Sequence, residues 1–221
     1  MTLWRPVLDI EKIVKRAAQE ISAGEIINLG IGLPTMLIKY LPDDLDVSIH
    51  SENGVLGAWK QAPRDLAQPQ LIDAGGNYIT MRSGGSVFDS AVSFAIIRRS
   101  KLDMSMMGAF EVDQKGNLAN WKIPGRFSPG IGGAMELAQK TSRVVVLCTH
   151  TDKAGNPKIL KSCKLPLTAA NCVSRIITDK AVMDVTDDGL VLREMSEDIT
   201  LDELLSQTDA ELIIPDQIGR Y

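Results

Sequence analysis

One segment constrains the fold more than any other: SRVVVLCTHT, residues 142–151, an almost unbroken apolar run bounded by polar residues. A strand with one wet face alternates apolar and polar residues. A short continuous run of β-branched residues reads instead as a strand covered on both faces, the habit of parallel sheets with helices above and below. LDMSMMGAFEVD, residues 102–113, is a second such strand.

The rest of the chain supplies the helices. Residues 9–22, DIEKIVKRAAQEIS, place Ile10, Ile13, Val14, Ala17, Ala18 and Ile21 at helical spacing, with Asp9 as N-cap and Gly24 as stop. EIINLGIGLPT reads as strand, glycine turn and the start of a helix that continues through Met36, Leu37 and Tyr40. LDVSIHSENG is another strand running into a turn. MRSGGSVFDSAVSFAIIRR reads as a glycine-rich stretch opening a helix, with Val87, Ala91, Phe94 and Ala95 on one side. The tail changes character. MDVTDDGLVLREM predicts a hairpin turning at Asp188-Gly189, and TLDELLSQT a short helix capped by Thr200 with Leu201, Leu204 and Leu205 inward. No internal repeat or flexible linker stands out. The expected fold is α/β: a single three-layer α/β/α domain over residues 1–221 with a mainly parallel open sheet. Ligands of such sheets bind beyond the carboxyl ends of the strands.

Composition narrows the function. A formal charge of −4, no basic stripe and only 5% aromatic residues argue against a nucleic-acid partner. No apolar run is long enough to cross a bilayer, and the N-terminus has no apolar signal core, so the expected setting is the cytosol. Cys148, Cys163 and Cys172 are an odd number without metal-clip spacing and read as free thiols. With only His50 and His150 and no clustered acids, no metal site is expected.

Three glycine-bearing motifs are compatible with ligand binding. NLGIGLP, residues 28–34, lacks the third glycine of a dinucleotide fingerprint, and a tight strand-to-helix connection explains it equally well. SPGIGGAMELAQK, residues 128–140, puts Gly130, Gly132 and Gly133 directly before a helix, where exposed amides suit an anion or an oxyanion. GNLANWKIPGR, residues 116–126, combines amides, a tryptophan and two basic residues. It reads either as a ligand contact or as a surface loop packed by Trp121. Glu52 stands apart. It ends an apolar strand, precedes the turn pair Asn53-Gly54, and has no carboxylate partner nearby for paired acid–base work. His50, two residues before it, shares its face of the strand. An isolated carboxylate held away from water is suited to nucleophilic attack.

SENGVLG at 51–57 resembles the active-site signature of the family I coenzyme A transferases. The resemblance extends through INLGIGLPTML, LIDAGG, FDSAVSFAIIR, GNLANWKIPGR, GIGGAMELA and KLPLTAANCVSRIITDKAV, nearly the whole chain. It is to the β subunit of the two-subunit acetate/acetoacetate or 3-oxoacid enzymes. It implies that Glu52 is the catalytic nucleophile, forming a mixed anhydride with the donor acyl group and then a glutamyl-CoA thioester. It also implies that amides around Gly132, Gly133 and Ala134 face the oxyanion or the thiol end of CoA, that Asn28 helps hold the substrate carboxylate, and that the Asn53 backbone lies beside the nucleophile. Coenzyme A and acyl-CoA enter as substrates, with no permanently bound cofactor. The implied partner is an α subunit, in a heterodimer or heterotetramer. The chain departs from the pattern at Ala58, Trp59 and Lys60, where the family carries a second glycine and a proline, at IIRRSKLD in place of R-G-G-H-[IV]-D, and at Glu136 in place of Asp. Trp59 and Lys60 are thus candidates either to read a different acyl group or merely to reshape a rim. Competing readings are an acyl-CoA hydrolase using the same glutamate, a non-catalytic CoA-binding subunit and, more remotely, a sugar-phosphate isomerase.

Overall fold

The computed structural model describes residues 5–221, with side chains from Ile10 onward. In chain order the elements are α1 (Arg5–Ala18), β1 (Ile26–Leu29), α2 (Leu33–Met36) with a 3₁₀ turn (Leu37–Tyr40), β2 (Ser48–Ser51), β3 (Val55–Gln61) and β4 (Ile79–Val87). Next come α3 (Ser90–Arg98), β5 (Met104–Gly108), β6 (Glu111–Asp113), β7 (Leu118–Ala119), α4 (Ala134–Lys140), β8 (Arg143–Leu147) and β9 (Ile159–Leu160). The chain closes with β10 (Arg175–Ile177), β11 (Ala181–Thr186), β12 (Gly189–Met195), α5 (Leu201–Ser206), β13 (Leu212–Ile213) and β14 (Gly219–Arg220).

The centre of the large sheet is parallel, in the order β10-β8-β5-β1-β2, and its flanks are antiparallel: β3 and β4 beyond β2, β11 and β12 beyond β10. Central strands covered on both faces feed two separate cores, as the unbroken apolar run at 144–148 requires. Val144 and Val146 point into a cluster with Leu137 of α4 and Ile97 of α3, while Val145 and Leu147 point into one with Ile13, Val14 and Ala17 of α1. A small sheet, β7-β6-β9, packs on the first cluster through Val112, Leu118 and Ile159. Among the described residues no helix is long and apolar enough to cross a membrane.

Several expectations shift. The first helix already runs at Arg5, the first described residue, so Asp9 lies inside it and is not its N-cap. Gly84 and Gly85 sit within β4 rather than opening a helix; α3 is started by Asp89, whose carboxylate accepts the Val92 N–H at 2.8 Å. The tail hairpin turns at Asp187-Asp188, and Gly189 is already paired with Thr186. Thr200 does cap α5, in a reciprocal box with Glu203, but Leu205 faces solvent while Leu204 is buried.

Two polar devices stand out, one tying α1 to the sheet and one shaping loops. Glu20, buried against the sheet, pairs with Arg16 at 2.7 Å, with Arg175 at 2.8 Å and with Arg143; Arg16 and Arg175 reach onward to Glu194 and Asp184. Burial alone would raise the Glu20 carboxyl, but the hydrogen bonds from Arg16 and Arg175 outweigh it and hold the group below its usual range. The second device is a repeated turn: Asp73–Asn77, Asp113–Asn117 and Asp152–Asn156 all read D-x-x-G-N. In each, the aspartate carboxylate accepts the asparagine backbone N–H at 2.8, 3.1 and 2.9 Å and its side-chain amide at 3.0, 2.9 and 2.9 Å. The glycine adopts φ of 79°, 74° and 87°, a conformation that L side chains resist. No repeat was expected from the sequence, yet this five-residue one recurs three times.

Candidate active site

β2 ends in a β-turn, Ser51–Gly54, closed by the Gly54 N–H to the Ser51 carbonyl at 2.9 Å. Gly54 is obligatory there: its φ is 119°, and a Cβ would lie 2.0 Å from the Phe88 carbonyl oxygen. The turn throws Glu52 off the carboxyl end of β2. It is clamped from the side, because Ser51 Oγ accepts the Ala74 N–H at 2.9 Å and the Asn53 amide donates to the Ile72 carbonyl at 2.8 Å.

The half-buried Glu52 carboxylate lies against the glycine loop that leads into α4. A Cβ on Gly133 would stand 3.0 Å from Glu52 Cδ and Oε2, and 2.8 Å from the Phe94 ring; one on Gly132 would stand 3.9 Å from Glu52 Oε1. Only glycine admits so close an approach. Burial pushes the Glu52 carboxyl above its ordinary range, partly offset by the Gly133 backbone N–H that favours the ionised form. Glu52 opens into a cleft of about 770 Å³ beyond the carboxyl ends of β1, β2, β5 and β8, lined also by Ile31, Phe110, Trp121, Gly132 and Lys158. The position matches the sheet rule applied to the sequence.

The other site expectations fare unevenly. Gly132, Gly133 and Ala134 all line the cleft, but the Ala134 N–H is engaged by the Ile131 carbonyl at 3.3 Å, which leaves Gly133 as the amide nearest Glu52. Asn53 is beside Glu52, with its side chain turned to the 72–74 segment. Asn28 is 2% exposed and lies outside the cleft lining. Its amide donates to the His50 carbonyl at 3.1 Å, and its Oδ1 is buried without a partner among the described residues. His50 itself is sealed in, hydrogen-bonded through Nε2 to Ser93 Oγ at 2.9 Å; burial pushes its imidazole down to about 4, so it stays neutral. Trp59 and Lys60 do not line the Glu52 cleft. Trp59 is buried beneath the Arg82 guanidinium, 3.6 Å from the ring centroid, and Lys60 pairs with Asp43 beside a separate hollow of about 450 Å³. Glu136, the departure on α4, forms a two-pronged pair with Arg98 of α3 at 2.8 Å. Phe94 and Lys158 were not marked as site residues. Phe94 was hidden in an apolar helix face, and Lys158 carries no local pattern at all.

A carboxylate at the carboxyl edge of a parallel sheet, set against glycine amides across an open cleft, is the layout of an α/β enzyme. The chain belongs to the coenzyme A transferase family, whose model matches residues 10–207. It is 46% identical over 208 residues to the β subunit of a probable coenzyme A transferase of Bacillus subtilis (strain 168), covering 94% of this chain and 96% of that one. It is 44% identical over 206 residues to the β subunit of the acetate CoA-transferase of Haemophilus influenzae (strain ATCC 51907 / DSM 11121 / KW20 / Rd), covering 93% and 92%. Among solved structures, an acyl-CoA transferase apoenzyme from Escherichia coli O157:H7 superposes with a TM-score of 0.78 at 20% identity. That likeness establishes the shared fold. It covers 96% of this chain and 43% of that one, so the present chain spans less than half of the longer protein.

Proposed function

We propose that the chain is the β subunit of a cytosolic CoA-transferase that moves coenzyme A from an acyl-CoA to a short-chain or 3-oxo carboxylic acid through a glutamyl-CoA thioester on Glu52. The observation that carries this reading is the Glu52 carboxylate, partly desolvated and held against the Gly133 amide in the cleft. In the first step a Glu52 oxygen attacks the thioester carbonyl, the carbon–sulfur bond breaks, and CoA leaves as thiolate. The thiolate then attacks the glutamyl carbonyl of the anhydride and expels the donor acid as carboxylate. The acceptor carboxylate reverses both steps and leaves Glu52 free.

The chain's own groups meet what this chemistry demands. A raised carboxyl is a stronger nucleophile once ionised, and the hydrogen-bonded turn at Ser51–Gly54 limits its freedom, as attack on a bound thioester requires. The Gly133 N–H, which faces the ionised Glu52 carboxylate before attack, would turn to the developing oxyanion as that charge is consumed, and loss of such a donor typically costs about 2.7–4 kcal/mol. Both covalent intermediates are sensitive to water, yet the cleft is open, with exposed Ile31 (66%), Phe110 and Phe127 (94%) on the loops around it. Apolar groups so placed favour a covering partner, the α subunit, which would close the site. The three cysteines are free thiols, in keeping with a reducing compartment.

The test is initial-rate kinetics on the chain assembled with its α subunit, varying acyl-CoA and acid. Parallel reciprocal plots, product only when acceptor acid is present, and abolition by Glu52→Gln support the proposal. Converging plots with activity surviving in Glu52→Gln would refute it, and thioester loss independent of acid would point to a hydrolase.

A further inference from the structure

We infer that Lys158 anchors the phosphate end of coenzyme A in the Glu52 cleft, an assignment that rests on the transferase reading above. Of the described residues lining the cleft, two carry charge, Glu52 and Lys158. Among the described residues Lys158 forms no ion pair and its ammonium has no hydrogen-bond acceptor; several surface lysines share that state, but Lys158 is the one that lines the cleft. Its backbone is fixed on both sides: the N–H donates to the His150 carbonyl and the carbonyl accepts from the Val112 N–H, both at 3.0 Å. The hydrogen-bonded Asp152–Asn156 turn precedes it, with Pro157 between. A held, unpaired cation in a ligand cleft calls for an anion.

Distance selects which anion. Glu52 sits at the end of β2, and the Lys158 backbone is bonded to the segments that follow β5 and β8, two to three strands away in the order β2-β1-β5-β8. Two to three strand spacings amount to about 10–14 Å between the two backbones. With the thioester at Glu52, a second carboxylate on a short acyl chain is only three or four bonds away, about 5 Å at most at the reach of an extended chain. The first phosphorus of CoA lies about thirteen bonds from sulfur, about 15 Å extended on the same scale. The phosphates span the gap; an acyl carboxylate does not. Trp121, with Lys122 over its ring at 5.5 Å, lies on the same cleft and extends the basic, aromatic character of that end.

The experiment measures binding of free CoA and of pantetheine, which lacks phosphate, to the assembled αβ protein carrying Lys158→Met or Lys158→Arg. The expected result is a CoA affinity weakened about 10- to 100-fold in Lys158→Met, the range for a lost charge-assisted hydrogen bond. Pantetheine binding and the unfolding midpoint should be unchanged, and Lys158→Arg should restore most of the affinity. Unchanged CoA binding in Lys158→Met overturns the inference. So does an equal loss for pantetheine, or a defect confined to turnover of dicarboxylic acyl-CoA, which would put the cation at the acyl end. Because the readout is binding, it stands whether or not Glu52 forms a covalent thioester, so the two proposals fail separately.

Discussion

Gly133→Ala probes the contact on which the site depends. The backbone there, at φ −81° and ψ −1°, is open to alanine, so the fold should lose less than about 1 kcal/mol. The new methyl, however, would sit 2.8 Å from the Phe94 ring and 3.0 Å from Glu52 Cδ and Oε2. Ordinary carbon contacts begin near 3.5 Å, so the carboxylate must retreat by about half an ångström and Phe94 by slightly more. Misplacement of a reacting group by 1 Å costs about 100-fold, so kcat should fall about 10- to 100-fold, or about 1.4–2.7 kcal/mol in the barrier. The carboxylate also moves away from the Gly133 N–H that favours its ionised form, so the acid limb of the pH–rate profile should shift to higher pH. Steady-state rates on the αβ complex across pH, alongside a thermal melt, measure both effects. Wild-type kcat with an unmoved acid limb would refute the claim that Gly133 sets the position of Glu52.

Other consequences follow from the fold. Ser100 occupies the left-handed C-terminal position after α3 (φ 52°), with the Lys101 N–H on the Ile96 carbonyl and its own on Ile97, so Ser100→Gly should stabilise by about 0.5–1 kcal/mol in urea melts; no gain would contradict the strain. Burial pushes His50 down to about 4 and His150 to about 3 from 6.5, so the folded chain keeps both neutral while the unfolded chain takes up protons first. Their contribution is complete above pH 6.5 and is lost as pH falls toward 4 and 3, on the order of 4 kcal/mol together between pH 7 and 5; a flat stability profile over that window would contradict it. Glu20→Ala strips the shared partner from Arg16, Arg143 and Arg175 and should destabilise by on the order of 3 kcal/mol; a loss under about 1 kcal/mol would show that the cluster is dispensable.

What could be read from the letters depended on the range of the interaction. The buried strands, the two-sided core and Glu52 all rest on local patterns: an unbroken apolar run at 144–148, and an acid before Asn-Gly at a strand end. Gly84-Gly85 misled because a glycine pair is equally at home in a helix-opening turn and in a bulged strand; pairing with β3, a tertiary fact, decided between them. Trp59 and Lys60 are near Glu52 in sequence but lie along the β3 strand that leads away from it, so proximity in the chain overstated their role. Asn28 lies one strand over from His50, and the register that buries its side chain was invisible in one dimension. Glu20 meets Arg143 and Arg175 more than a hundred residues on, and Lys158 shares a cleft with Glu52 across a similar separation in the chain. The D-x-x-G-N turns, by contrast, are wholly local and stood in the sequence three times; recognising them required knowing that the aspartate and asparagine close on each other.

The central claim is that coenzyme A becomes covalently attached to Glu52. The direct measurement is mass spectrometry of the αβ protein incubated with acyl-CoA and then reduced with borohydride. A glutamyl thioester is converted to an alcohol, so the peptide containing Glu52 should lose about 14 Da, only when acyl-CoA is supplied and not in Glu52→Gln. An unmodified Glu52 peptide in a complex that turns over acyl-CoA would contradict the account.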